Sequence, residues 1–185
     1  MPEPSIVAFD PEADPEAIIA FLTRNTFPFH GGPVVSEEAA RARVRDAHYW
    51  SGGRAGHWVV LDTERVGIAV LEDLDDIPGG GTPLFDLRLA DRYRGRALGE
   101  PVLRALTTHV FETYPDLRRF EGETREDNVA MRKVFLRSGW VKEAHYREAW
   151  PVENGEPVAS IAYGMLRRDW ETGTTTPVPW EDLPA

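Results

Sequence analysis

The stretch Leu84-Phe85-Asp86-Leu87-Arg88-Leu89-Ala90, followed at once by Asp91-Arg92-Tyr93-Arg94-Gly95-Arg96-Ala97-Leu98-Gly99, decides how this chain folds. Phe85, Leu87 and Leu89 alternate with Asp86 and Arg88, the period-two pattern of a strand with one face buried. Small residues at 95, 97 and 99 then make a turn. Beyond it Leu98, Val102, Leu106 and Val110 recur at helical spacing as far as about Thr113. Pro101 falls in the first turn of that helix, where a missing amide hydrogen does no harm. A strand that enters a helix through small residues lets a ligand approach the backbone, and the free amides of a helix N-terminus favour phosphate. The turn is neither a Gly-Lys-Ser/Thr phosphate loop nor a Gly-x-Gly-x-x-Gly dinucleotide fingerprint. Read alone, the turn favours a phosphate-bearing ligand over its alternative, a plain strand-to-helix connection.

Outward from this unit, the rest of the chain reads as alternating short elements. Residues 4–10 form a first strand, and Asp14 is placed to cap a helix whose inner face carries Ile18, Ile19 and Leu22. Residues 25–35 set aromatics among turn formers and read as a loop, after which Ser36 caps a helix reaching Ala47. Residues 58–61 and 66–71 are a hairpin about Asp62-Thr63-Glu64, and a loop carries Asp75-Asp76 and Gly79-Gly80-Gly81. After the central helix, Arg118 to Thr124 is a strand. Asn128 to Ser138 is a helix with Ala130, Met131, Val134 and Phe135 inward, ended by Gly139. Residues 140–150 and 157–166 make a hairpin about Asn154-Gly155. The order β-α-α-β-β-β-α-β-α-β-β predicts an α/β (α+β) fold with a mixed, mostly antiparallel sheet flanked by helices. One domain is expected over residues 1–170, with a Pro/Thr-rich tail from 171 to 185 that is extended or packed across a partner subunit in a homodimer.

Composition narrows the function. With 185 residues, 42% hydrophobic and 28% charged, the chain is long enough for one well-filled core. No apolar run of about eighteen residues occurs, and Met1-Pro2-Glu3-Pro4 does not begin a secretory signal, so neither membrane insertion nor export is expected. The absence of cysteine removes disulfides and thiolate chemistry and fits a cytoplasmic setting. A net charge of −10 argues against general nucleic-acid binding. It would also repel a polyanionic cofactor unless a local basic patch prevailed, and Arg88, Arg92, Arg94, Arg96 and Arg104 supply the arginines for one. No histidine pair has metal-ligand spacing, and no Gly-x-Ser-x-Gly occurs, so neither a metal centre nor a serine hydrolase is expected.

Arg92-Tyr93-Arg94-Gly95-Arg96-Ala97 resembles the Gln/Arg-x-x-Gly-x-Gly/Ala signature of the GNAT superfamily of N-acetyltransferases, at the corresponding place between strand and helix. The segment from Glu123 to Trp140, with Asn128 opening a helix and Gly139 closing it, is similar to the second signature of that superfamily. Trp140-Val141-Lys142-Glu143-Ala144 and Leu166-Arg167-Arg168-Asp169-Trp170 resemble its RimJ/RimL branch, which acetylates ribosomal-protein N-termini. The likeness spans roughly residues 5–170. It implies the acyl-CoA N-acyltransferase fold and direct transfer of an acetyl group from acetyl-CoA to a primary amine. The acceptor would be a small amine or a peptide or protein N-terminus. By the same likeness, the amides of Arg94, Gly95, Arg96, Ala97, Leu98 and Gly99 would hold the CoA pyrophosphate. Leu89 would bond the pantetheine arm through its main chain, with Asn128 beside it.

Two positions depart from the family. A tyrosine four residues before the closing glycine commonly donates to the thiolate leaving group, and here Phe135 stands beside the cofactor with no donor. The branch also commonly has serine three residues after the asparagine, and here it is Met131. A protein that binds acyl-CoA without turnover is therefore an alternative. Acetyl transfer needs a route for the amine proton. Asp86, on the polar face of its strand, and Glu123, acting through a water, are the candidate bases. Phe27, Phe29 and His30 are candidates to line the acceptor pocket.

Overall fold

The computed structural model describes residues 3–153 and 155–180. The expected turn residue Asn154, the first two residues and the last five of the tail lie outside the described residues. Elements follow in the order β1 (Ser5–Ala8), α1 (Pro15–Arg24), α2 (Glu37–Arg45), β2 (Ala55–Leu61), β3 (Glu64–Glu72) and β4 (Leu84–Leu89). Then come α3 (Gly99–Thr113), β5 (Arg119–Arg125), α4 (Val129–Arg137), β6 (Val141–Trp150), β7 (Val158–Leu166) and α5 (Arg167–Thr172). The order read from the sequence is present, with α5 added at the end. Two short 3-10 turns, Leu74–Gly79 and Asp91–Tyr93, occupy what reads as loop and turn.

The strands form two antiparallel sheets, β1-β2-β3-β4 and β5-β7-β6. The mixed character of the architecture comes from the seam, where β4 and β5 run side by side in the same direction. They meet near their N-terminal ends: Glu121 of β5 donates its amide to the carbonyl of Pro83, just before β4, at 3.2 Å. The Phe85 ring lies 5.2 Å from Phe120 and 5.8 Å from Trp140. Gly122 makes this closure possible. A Cβ there would stand 2.6 Å from the Phe85 ring and 2.8 Å from Cζ of Phe135, closer than real contacts allow. Past this point the two strands part, and clefts lined by their residues occupy the opening.

Core packing follows the sequence periodicities closely. Val102, Leu106 and Val110 of α3 are buried in one cluster with residues of β3, β5 and β7, Leu98 is buried just before the helix, and Ile18, Ile19 and Leu22 of α1 join a second cluster with Phe27, Tyr49 and Trp58. Ser36 accepts the amide of Ala39, and Asn128 that of Met131, so both helix starts are capped as expected. Asp14 occupies the cap position of α1 without capping it. Its carboxylate turns back to the Asp10 amide at 2.8 Å and to Arg65 at 2.6 Å. On α4, Phe135 is fully buried and Met131 and Val134 partly so, whereas Ala130 is exposed because the cleft side of the helix has no sheet over it. The α5 helix is too short for periodicity to reveal. Arg167 at its start donates to the carbonyls of Phe111, Tyr114 and Leu117, which satisfies groups that α3 leaves open at its C-terminus.

Candidate active site

Where β4 and β5 diverge, two clefts meet. The first, of about 290 Å³, runs along Leu87 and Leu89 of β4 toward the turn after it, and is bounded by Asn128, Met131 and Val134 of α4. Its walls include Arg94, Gly95, Ala97, Leu98 and Gly99, together with Phe27, Phe29 and His30 of the early loop. The second, of about 340 Å³, opens on the other side and is lined by Asp86, Glu123, Thr124, Glu72 and Trp150. Phe29, His30, Leu87, Arg88, Asn128 and Met131 border both clefts, so the two lie side by side at this junction.

The turn is shaped by two left-handed residues, Gly95 at φ 72° and Ala97 at φ 58°. Alanine in that region is uncommon and costs energy that a glycine would not. Among the described residues the amides of Gly95, Arg96, Ala97 and Leu98 donate to no protein group. With the N-terminus of the fifteen-residue α3 directly behind them, they form an open set of donors suited to an anion. The expected basic patch is largely neutralised. Arg88 pairs with Asp86, Arg92 with Glu64, Arg94 with Asp91 and Arg104 with Glu100, leaving only exposed Arg96 without an acidic partner among the described residues. An anion at this turn would therefore be held by backbone dipoles more than by excess arginine charge.

Asp86 is the most constrained group at the junction. Arg88, two residues along the same face of β4, grips it through Nε and Nη2, the shortest contact being 2.6 Å. Nε2 of His30 lies 2.9 Å from the other oxygen. The Arg88 guanidinium in turn sits 4.8 Å from the centre of the Phe27 ring. Burial opposes ionisation of Asp86, but the His30 hydrogen bond and the Arg88 charge outweigh it and hold the carboxyl well below the usual carboxylate range. Nδ1 of His30 is buried without a partner. Glu123 is different: its side chain reaches solvent and, among the described residues, accepts only the Ser160 hydroxyl at 2.9 Å and forms no ion pair.

Most of the residues singled out in the sequence are thus brought together. Leu89, Arg94, Gly95, Ala97, Leu98, Gly99 and Asn128 share the first cleft, Asp86 and Glu123 the second, and Phe29 and His30 both. Arg96 and Phe135 do not line either. The Phe135 ring is fully buried, stacked 4.5 Å from that of Tyr163 at 5°. Arg132 is committed to the Glu126 carbonyl and the Tyr163 hydroxyl. Sequence reasoning missed Thr124 and the role of Arg88 as the clamp on Asp86. The same-face spacing of residues 86 and 88 on an alternating strand was the available signal for the clamp. Among the described residues no group of three or more His, Asp or Glu could hold a metal ion, and no helix is long and apolar enough to cross a membrane.

Comparison with known proteins agrees with this geometry. The model of the acetyltransferase (GNAT) domain matches residues 6–141. No curated protein matches the sequence. Among solved structures, the ribosomal L7/L12 alpha-N-protein acetyltransferase RimL in complex with coenzyme A superimposes with a TM-score of 0.73 at 21% identity, over 89% of this chain and 94% of that one. The spermidine N-acetyltransferase of Vibrio cholerae in complex with CoA and spermine gives 0.75 at 15% identity, over 91% and 98%. A probable acetyltransferase gives 0.72 at 21% identity, over 91% and 95%. At these identities the likeness is one of fold.

Proposed function

The chain belongs to the GNAT acetyltransferase family, and from that premise we propose that it transfers the acetyl group of acetyl-CoA to a primary amine by direct attack within a ternary complex. The observation that carries this reading is the meeting of the two clefts between the splayed strands. One is apolar and ends at unpaired amides; the other bears the carboxylates of Asp86 and Glu123. A pantetheine arm suits the first, with the pyrophosphate at the turn and the thioester at the junction. An amine suits the second, where carboxylates favour a cationic group on entry. The solved relatives above act on a protein N-terminus or on spermidine, and an acceptor of either kind, a peptide N-terminus or a small polyamine, fits a cleft of this polarity.

Holding the neutral amine against the thioester carbonyl is most of what such a site must do. The nitrogen attacks the carbonyl carbon, the C–N bond forms, the C–S bond breaks with its electrons going to sulfur, and the amine proton leaves. Bond formation makes that nitrogen a much stronger acid, so a carboxylate suffices as its acceptor. Glu123, reached through a water, is better suited than Asp86, whose oxygens are taken by Arg88 and His30. Asp86 supplies a fixed negative charge at the junction instead.

The test is CoA release, followed with a thiol reagent, against a panel of polyamines, amino acids and peptides, alongside calorimetric titration with CoA. Transfer to at least one amine class is expected. Tight CoA binding with no transfer to any acceptor would leave a binding protein on an acetyltransferase scaffold. No CoA binding at all would remove the reading of the first cleft. The turn also has its own check. A Cβ on Gly99 would stand 2.6 Å from Cγ2 of Val134. Gly99→Ala is therefore expected to wedge the start of α3 off α4, lowering stability by about 1–2 kcal/mol. CoA affinity should fall roughly tenfold as the amides shift. Thermal denaturation and titration measure the two effects, and unchanged CoA affinity would show that the amides of this turn do not hold it.

A further inference from the structure

With phenylalanine at 135 and methionine at 131, the departing sulfur lacks both donors that the family commonly offers, yet one hydroxyl beside the junction, bonded to Asn128, has an uncommitted hydrogen. Thr124 lies on β5, on the same face as Phe120 and Gly122, only 5% exposed and bordering the second cleft beside Asn128 and Met131. Its oxygen accepts the Nδ2 hydrogen of Asn128 at 3.0 Å. The Asn128 amide cannot be turned round, because its Oδ1 is held by the Met131 amide at 3.2 Å as the cap of α4. The Thr124 oxygen is therefore bound to act as acceptor toward Asn128, and its own O–H must point elsewhere. Among the described residues no protein acceptor receives it.

Tyrosine at 135 would not fill the gap. Cζ of Phe135, the atom that would carry its hydroxyl, abuts Gly122 inside the sealed aromatic layer with Trp140 and Tyr163. A hydroxyl there would be buried without a partner. Thr124, two residues further along the same face toward the opening, is where β5 presents a donor to the junction instead.

We propose that the Thr124 hydroxyl donates a hydrogen bond to the sulfur of acetyl-CoA and strengthens that bond as the C–S bond breaks and charge collects on sulfur. Hydrogen bonds to a developing anion contribute more to the transition state than to the bound substrate. In this step the hydroxyl keeps its proton and CoA departs as thiolate, while the amine proton leaves by way of the Glu123 carboxylate. Asn128 acts as the positioning residue, since its Nδ2–H directs the threonine hydrogen away from itself and into the cleft. The inference rests on the reading of the first cleft as the acetyl-CoA site.

The ionisation of bound CoA tests it with no acceptor required. The ultraviolet absorbance of the thiolate is titrated with pH for CoA bound to the wild-type protein, to Thr124→Ser and to Thr124→Val, with desulfo-CoA as the blank. A donor at sulfur favours the thiolate. CoA on the wild-type and serine proteins is expected to ionise about one pH unit below free CoA titrated in the same buffer, and CoA on the valine protein close to free CoA. A wild-type complex whose thiol ionises no more readily than free CoA would overturn the assignment while leaving CoA binding intact, even if Thr124→Val failed to fold. The same ionisation in all three proteins would overturn it too. Failure of the wild-type protein to bind CoA or desulfo-CoA would instead remove the cleft reading on which it stands. In turnover, Thr124→Val is expected to lower kcat about tenfold with little change in the KM for acetyl-CoA, and serine to restore it.

Discussion

Glu123→Gln is expected to lower kcat by about 100- to 1,000-fold near pH 7, the usual scale for loss of a positioned general base. The substitution keeps an oxygen that can accept the Ser160 hydroxyl, so the end of β5 should hold its shape and only the proton acceptor is lost. CoA affinity should stay within a factor of about two, because Glu123 borders the second cleft and not the first, the one proposed for CoA. The pH profile carries the diagnosis. Near neutral pH an amine with an ordinary lysine-like pKa of about 10.4 arrives protonated, whereas at high pH bulk solvent delivers it neutral and hydroxide can take the second proton. The deficit of the variant should therefore narrow as pH rises, while the deficit of a binding or folding defect would not. Asp86→Asn separates the two carboxylates. If Asp86 took the proton, that variant would show the narrowing deficit and Glu123→Gln would stay within a few-fold of wild type at every pH. That pattern would sink the assignment to Glu123.

The ranking of these two carboxylates shows what can be read along one chain and what cannot. The alternation of Phe85, Leu87 and Leu89 against Asp86 and Arg88 placed both charged residues on one face of β4, and the spacing of small residues placed a turn and a helix start after it. Both are local properties, set by backbone geometry over a few residues. What Asp86 touches is not local. His30 lies fifty-six residues earlier in a loop without periodicity, and only the folding of residues 25–35 over the end of β4 brings its ring to the carboxylate. The same holds for the charge balance. Five arginines between residues 88 and 104 look like a basic patch until Glu64, Asp86, Asp91 and Glu100 are seen to pair with four of them, and Glu64 comes from another strand. Phe135 marks the same limit on α4. Helical spacing gave its inward direction, but only the seam at Gly122 shows that inward means the sealed aromatic layer and not the first cleft.

Acidification from pH 7 to about pH 4 is expected to remove about 3 kcal/mol of stability through one histidine. His57 sits on β2 between Ala8 of β1 and Ala69 of β3, 5% exposed, with its Nδ1 buried and unpartnered. Its Nε2 faces Nε2 of His109 on α3 at 3.2 Å, a contact that exists only while one of the two nitrogens carries no hydrogen. Burial, assisted by the neighbouring His109, pushes the His57 pKa down from 6.5 to about 4. Between those values the unfolded chain binds a proton that the folded protein refuses. The stabilisation is therefore fully present above about pH 6.5 and drains away as pH falls toward 4. A difference of this size corresponds to roughly 3 kcal/mol, or a fall in Tm on the order of 10 °C for a chain of this length. Burial also lowers the pKa of His48 and of His109, which adds to the slope in the same direction. Carboxylates act in a lower window. Against the opposing effect of burial, hydrogen bonds and arginine neighbours hold Asp14 and Asp86 below their usual range, so what they contribute is lost only as pH falls below about 4. Denaturant melts at half-unit steps from pH 8 to 4 resolve the two windows. His57→Leu, whatever its stability at pH 8, is expected to show a markedly flatter decline between pH 6.5 and 4.5. An equally steep decline in that variant would mean that the acid sensitivity resides elsewhere than in the His57–His109 contact.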